Sequence, residues 1–139
     1  MANEKELQEK MLIYRTLEAR LEAFTKQRDL VNSRIIELSS TISSINEIGK
    51  NQENILFRLG GEAYVHGNIK DKDNILVEIG AGIILEKSRE KGKEILNKRK
   101  EEMENALNEI QNNIAQISDA LSQLGPEINE IIRLENLAK

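Results

Sequence analysis

The sequence predicts an α+β fold that is mostly α, in which two long helices form an antiparallel coiled coil joined by two β-hairpins. Two observations underlie the helices and the hairpins. Apolar residues recur at alternating steps of three and four along both ends of the 139-residue chain, which is typical of a helical seam. The stretch between them, 55–87, holds five of the eight glycines and short runs rich in Ile and Val, as strands do.

We expect a single domain over residues 1–139. It comprises an N-terminal coiled-coil helix at 1–49, a hairpin and assembly region at 53–87, and a C-terminal coiled-coil helix at 88–139. With 32% charged and 3% aromatic residues, the composition is that of an elongated helical protein rather than of a compact globule.

The seam of the first helix is apolar at every position but Arg28. Its members are Tyr14, Leu17, Leu21, Phe24, Arg28, Val31, Ile35, Leu38, Ile42 and Ile45. No proline or glycine occurs before Gly49, which we expect to end the helix in a left-handed conformation. The second seam is Met103, Leu107, Ile110, Ile114, Ile117, Leu121, Leu124, Ile128 and Ile131.

The compact region between the seams should turn the chain so that the two helices pack antiparallel. That register places Tyr14 near Ile128 or Ile131, and Ile45 near Leu96. Both chain termini would then meet at the end far from the strands.

Each hairpin is predicted from a glycine-containing turn between two apolar runs. The first joins strands at 55–59 and 63–70 through Gly60 and Gly61, because glycine accepts the positive φ of a tight turn. The second joins 75–79 and 83–87 through the sequence Gly80-Ala81-Gly82.

Two small hairpins should not be stable alone, because their apolar faces need a cover. We therefore expect assembly with other subunits, and the alternative is that the sheet folds back on the flanking helices. The predicted assembly residues are Ile55, Phe57, Leu59, Val65, Ile69, Ile75, Val77, Ile79, Ile83 and Leu85.

Large apolar residues also crowd the two chain ends outside the seams. They are Met11, Leu12, Ile13, Ile132, Leu134 and Leu137. Exposed apolar groups of this kind mark binding surfaces, although they could instead seal frayed helix ends. Pro126 follows Gly125 inside the second seam and should kink the helix, so that its last turns splay and open the tip. The alternative is that Gly125 and Pro126 end one helix and begin a short second one.

Several function classes are disfavoured. A net charge of −4 provides no basic face for nucleic acid, and the longest uncharged apolar run is too short to span a membrane. The charged N-terminus does not fit a secretory signal, so we expect a cytoplasmic protein. No catalytic, metal or cofactor site is predicted, since His66 stands alone, no cysteine occurs, and the stretch from Asp71 to Asn74 fits a turn better than a calcium loop. We therefore expect no enzyme activity.

The hairpin sequences carry a family resemblance. The runs LGGEAYV at 59–65 and NILVEIGAG at 74–82, between two long coiled-coil helices, resemble an archaeal-type α-class prefoldin subunit. The resemblance covers the whole chain, although the helices match in pattern only. The two hairpins indicate the α class, because β-class subunits have one. Arg58 stands where this family often has a proline.

The resemblance implies an ATP-independent holding chaperone in which two α-class and four β-class subunits join their hairpins into a double β-barrel platform. The helix tips would capture unfolded proteins and deliver them to a group II chaperonin. The client-binding role would fall on Leu7, Met11, Leu12, Ile13, Ile131, Ile132, Leu134 and Leu137. The alternative is a filament-forming, prefoldin-like structural coiled-coil protein.

Overall fold

The computed structural model describes residues 2–50 and 54–138 of the chain. Met1, Lys139 and residues 51–53 lie outside the described residues, as do the parts of the predicted helix and hairpin boundaries that fall on them. The element order is helix α1 (Ala2–Ile48), strands β1 (Ile55–Gly60), β2 (Ala63–Gly67), β3 (Asn74–Gly80) and β4 (Ile83–Ser88), and helix α2 (Arg89–Ala138).

The chain divides into two compact units, one formed by residues 1–33 with 105–139 and the other by 34–104. In the first, here the terminal unit, the two helices run antiparallel, because Lys10 contacts Glu127 and Tyr14 lies beside Gly125. Ile110 and Ile117 are its buried residues. Every predicted seam residue of this unit is at least half-buried, so the heptad pattern is confirmed here.

The second unit, here the hairpin unit, contains both hairpins and the adjoining helix segments. Leu38, Ile45 and Leu96 form its buried core. The predicted proximity of Ile45 to Leu96 is thus confirmed. Met103 and Ile75 pack against this core.

Polar contacts tie the helix and strand ends of the hairpin unit together. Ser88 begins α2 as an N-cap, since its hydroxyl accepts a hydrogen bond from the Lys91 amide. The Arg89 amide donates to the Asp73 carbonyl, and the Arg89 guanidinium lies over Gly49 at the end of α1. The predicted left-handed conformation at Gly49 is wrong: the positive φ angles of the described residues occur elsewhere.

Both hairpins form separate two-stranded antiparallel sheets with two-residue turns. In the first, Glu62 takes the left-handed conformation (φ 61°), and Gly60 and Gly61 do not, so the predicted role of the glycine pair is wrong. Ala81 (φ 50°) and Gly82 (φ 75°) both have positive φ, which is the pattern of a type I′ turn.

Strand β2 is shorter than predicted and ends at Gly67 instead of residue 70. The physical reason is the register, because β1 begins at Ile55 and Gly67 is the partner of that residue. The side chain of Asn68 then accepts a hydrogen bond from the Asn54 amide and closes the end of the hairpin. Ile69, predicted on the strand, therefore lies beyond it.

Helix α2 continues through Pro126, so the alternative of two helices separated at this residue is wrong. The expected separation from α1 does not begin there either. One residue past the proline, the Glu127 carboxylate lies 2.8 Å from Nζ of Lys10, and Ile128 and Ile131 remain half-buried.

Candidate interaction surfaces

The second hairpin uses one face to pack on α2. Gly92 has no side chain, and a Cβ placed on it would overlap Ile75 and lie 3.3 Å from a methyl of Val77. Val77 is accordingly 5% exposed. The Arg99 guanidinium reinforces the docking by donating a 2.6 Å hydrogen bond to the Glu78 carbonyl. Ile75 and Val77 therefore pack on a flanking helix, as the alternative to assembly with other subunits predicts for them.

The opposite face of the second hairpin is open. Leu76 and Ile84 lie on it diagonally, since Leu76 pairs with Glu86 and Ile84 with Glu78. Both are largely exposed. A similar diagonal occurs on the first hairpin, where Leu56 and Tyr64 are exposed.

These four residues, Leu56, Tyr64, Leu76 and Ile84, are absent from the predicted assembly set. One face of β3 is wholly apolar, with Ile75, Val77 and Ile79, and alternation therefore favoured it. On the other face Leu76 lies between the polar residues Asn74 and Glu78, so the alternating pattern did not single it out. The sequence did contain a signal for these four residues, because each is a large apolar side chain on the strand face opposite the predicted assembly residues.

The other predicted assembly residues keep varying degrees of exposure. Those exposed are Phe57, Leu59, Val65, Ile79, Ile83 and Leu85. Ile55 and Ile69 are half-buried and border a groove of about 550 Å³ between the first hairpin and the serine-rich end of α1. Within the hairpin, the ring of Phe57 covers Gly67, where a Cβ would lie only 2.7 Å from the ring.

The terminal unit carries the second candidate surface, which we call the terminal apolar set. Its exposed members are Leu12, Ile13, Ile132, Leu134 and Leu137. Leu7, Met11 and Ile131 are half-buried, so they contribute to the seam as well as to the surface. Leu12 and Leu137 are 67% and 71% exposed, which does not fit residues that seal the helix ends of this unit.

Ion pairs flank the terminal apolar set. The Glu127 carboxylate, by its hydrogen bond and charge, raises the pKa of Lys10. On α2, the Arg133 guanidinium donates to both carboxylate oxygens of Glu130, at 2.6 and 3.1 Å, and lowers the pKa of Glu130. Glu127, Glu130 and Arg133 are exposed, so these ion pairs orient the helix surface more than they stabilise the fold.

Among residues 2–50 and 54–138, no group of three or more His, Asp or Glu side chains could hold a metal ion. His66 is exposed on β2 opposite Leu56. In the same part of the chain, neither helix has a stretch apolar and long enough to cross a membrane.

Comparison with known proteins agrees with this architecture. The family model described as "Prefoldin subunit" matches residues 17–133, which is most of the chain. The chain belongs to the prefoldin family. Prefoldins are chaperones that form oligomeric complexes, so membership indicates a prefoldin chaperone-type role.

The similar curated prefoldins are archaeal and carry the name "Prefoldin subunit alpha". The protein of Methanococcoides burtonii is 34% identical over 92 residues, covering 65% of this chain and 67% of the relative. That of Thermofilum pendens is 34% identical over 92 residues, with 65% and 71% covered. That of Pyrococcus horikoshii is 28% identical over 103 residues, with 72% and 70% covered. The resemblance to α-class prefoldin subunits is thus confirmed.

A solved prefoldin structure shares the fold. It is described as "Cryo-EM structure of filamentous PFD from Methanocaldococcus jannaschii" and aligns with a TM-score of 0.53 at 19% identity, covering 86% of this chain and 94% of that chain. The two long helices and two small antiparallel hairpins are therefore a prefoldin arrangement.

Proposed function

We propose that this prefoldin is a subunit of an ATP-independent, cytoplasmic holding chaperone that binds unfolded proteins through the terminal apolar set. The observation that carries the proposal is the exposure of Leu12, Ile13 and Leu137 near the helix ends, without a cover from the rest of the terminal unit. An unfolded polypeptide offers apolar segments that would cover them.

Each subunit binds a client weakly through this surface, and several subunits together bind one client with a higher total affinity. Burial of an apolar side chain contributes about 1.5–3 kcal/mol, so two or three side chains on one subunit hold a client only loosely. Several subunits acting on one client raise the total affinity through effective concentration. This mechanism requires oligomers and no nucleotide.

The hairpin unit supplies the surface for such an oligomer. The exposed face with Leu76 and Ile84, and the rows of unpaired backbone groups at the outer strand edges, fit a strand-by-strand assembly with other prefoldin subunits. We propose two copies of this chain with four β-class subunits in a β-barrel platform, and delivery of the client to a group II chaperonin.

The proposal is tested by suppression of aggregation of a chemically unfolded client, without ATP, by this chain with a β-class partner. The test variant combines Leu12→Ser with Leu137→Ser. Its matched control combines Leu30→Ser with Ile36→Ser, two residues of α1 that are 73% and 61% exposed and lie outside the terminal apolar set. We expect the control to protect as the native chain does and the test variant to lose most protection while assembling normally. Equal protection by both variants would refute client binding at the terminal set.

A second candidate function is a filament-forming structural protein, favoured by the shared fold with the Methanocaldococcus jannaschii prefoldin, which is described as filamentous. Light scattering of the purified chain distinguishes the two. A closed particle of fixed mass with a β-class partner supports the chaperone subunit, whereas a mass that grows with protein concentration supports the filament.

A further inference from the structure

A cleft of about 300 Å³ lies within the terminal unit, between the first turns of α1 and the segment of α2 around Gly125. Its lining is Met11, Tyr14, Arg15, Glu18, Gly125, Ile128 and Asn129. Met11, Tyr14, Gly125 and Ile128 are half-buried and form its floor, and the three polar residues are exposed at its rim. This volume lies at the small end of the range for ligand-binding pockets, and one aromatic side chain is a group of matching size.

Glycine at position 125 leaves the cleft open. A Cβ on Gly125 would lie 3.7 Å from Cε2 of Tyr14, which is an ordinary contact distance, so a longer side chain at 125 would project toward the space that is now empty. The Tyr14 ring and the Met11 thioether are therefore left accessible on the floor. Both groups interact favourably with aromatic rings, through edge-to-face and sulfur–aromatic contacts.

The rim adds a cation. Arg15 and Glu18 lie three residues apart, yet among the described residues no ion pair or hydrogen bond engages the Arg15 guanidinium. A free guanidinium at the mouth of an apolar cleft complements the negative face of an aromatic ring. Because Glu18 balances its charge, the rim does not select charged side chains over neutral ones. A second cleft, which shares Met11 and Arg15, extends toward Leu12 of the terminal apolar set.

We propose that this cleft is a specificity site that receives one aromatic side chain of the unfolded client. The inference rests on the proposed function, since it names the part of a client that the terminal unit prefers. Aliphatic side chains still bind the exposed surface through Leu12 and its neighbours, but in the cleft they make only dispersion contacts and lack the edge-to-face, sulfur–aromatic and cation–π contacts of an aromatic ring. Selection among apolar segments then follows from the aromatic content of the client.

The test uses the full chain and two unstructured peptides that differ at one central position, Phe in one and Leu in the other. The chain contains three methionines, so labelling of the methionine methyl groups yields three resonances. Met11 reports on the cleft, and Met103, in the hairpin unit, is an internal control. We expect the Phe peptide to bind about tenfold more tightly and to shift the Met11 resonance without shifting that of Met103.

Two variants locate the preference. Gly125→Leu should fill the cleft and make the two peptides bind equally. Arg15→Gln, at an exposed side chain, should lower the preference for Phe about threefold, while its matched control Arg20→Gln, another exposed arginine of the terminal unit outside the cleft, should leave it unchanged. The Arg15 pair keeps the test decisive if Gly125→Leu disturbs folding.

Equal affinity of the native chain for the two peptides would overturn the inference. So would a preference for the Phe peptide that Arg15→Gln leaves intact and that is not accompanied by a shift of the Met11 methyl resonance. If neither peptide binds while an unfolded client is still protected, the cleft is overturned and the proposed function stands. If the client is not protected either, the proposed function fails as well.

Discussion

Two glycines of α2 allow one substitution to be compared in two environments. Gly92→Ala places a methyl group where it overlaps Ile75 and lies 3.3 Å from Val77, whereas Gly125→Ala places one at 3.7 Å from Tyr14. Replacing glycine by alanine within a helix stabilises it by about 1 kcal/mol. Overpacking a tight contact costs about 1–3 kcal/mol. We therefore expect Gly125→Ala to raise the free energy of unfolding by about 1 kcal/mol, and Gly92→Ala to leave it unchanged or lower it by up to about 2 kcal/mol.

Urea unfolding followed by far-UV circular dichroism measures the two free energies. Amide hydrogen exchange adds a local readout, because undocking of the second hairpin from α2 should increase exchange in β3 of the Gly92→Ala protein. The β1–β2 hairpin is the control. If Gly92→Ala stabilises the protein as much as Gly125→Ala does and β3 stays protected, the close packing of Ile75 on Gly92 is wrong.

Two further predictions concern the hairpin unit. Ile45 is 5% exposed in the core, so Ile45→Ala should lower the free energy of unfolding, measured in urea, by about 2–5 kcal/mol. Ile36 is 61% exposed on the same helix, and Ile36→Ala should change that free energy by less than about 0.5 kcal/mol. Similar losses for the two variants would refute the assignment of Ile45 to the core. The pKa of Asp71 is lowered by hydrogen bonds from the Asn74 side chain and from the amides of Asp73 and Asn74. The Asp71 carboxylate therefore stabilises the turn fully above pH 3.8, and this stabilisation is lost as the pH falls through the lowered pKa of the folded state. The amides of Asp73 and Asn74 should then lose protection from hydrogen exchange. Asp71→Asn should abolish this pH dependence.

The two helices and most of the strands could be predicted from local pattern. A period of three and four that is kept from Tyr14 to Ile45, and again from Met103 to Ile131, admits one conformation, because only a helix brings those side chains onto one face. Every predicted seam residue is at least half-buried, including Arg28, whose guanidinium reaches Asp29 at the surface. The hairpins followed equally from apolar runs separated by polar or glycine-rich turns.

The turn details depended on register instead. The predicted positive φ at Gly60 and Gly61 occurs at Glu62, because the irregular pairing between Arg58 and Gly60 sets where the turn begins. Sequence alone cannot reveal a bulge of this kind, since the same glycines fit more than one turn position.

The sequence by itself determined which segments are helix and strand, and it was sufficient to place the chain in the prefoldin family, because periodicity and turn residues are local properties. Only the tertiary structure decided what covers the apolar face of β3, since Ile75 and Val77 fit into the gap that Gly92 leaves on a helix that follows both hairpins in the chain. The same holds for Gly125. The sequence of α2 alone does not show that Gly125 borders a cleft. The cleft exists because Tyr14 and Met11 of α1 lie opposite this glycine.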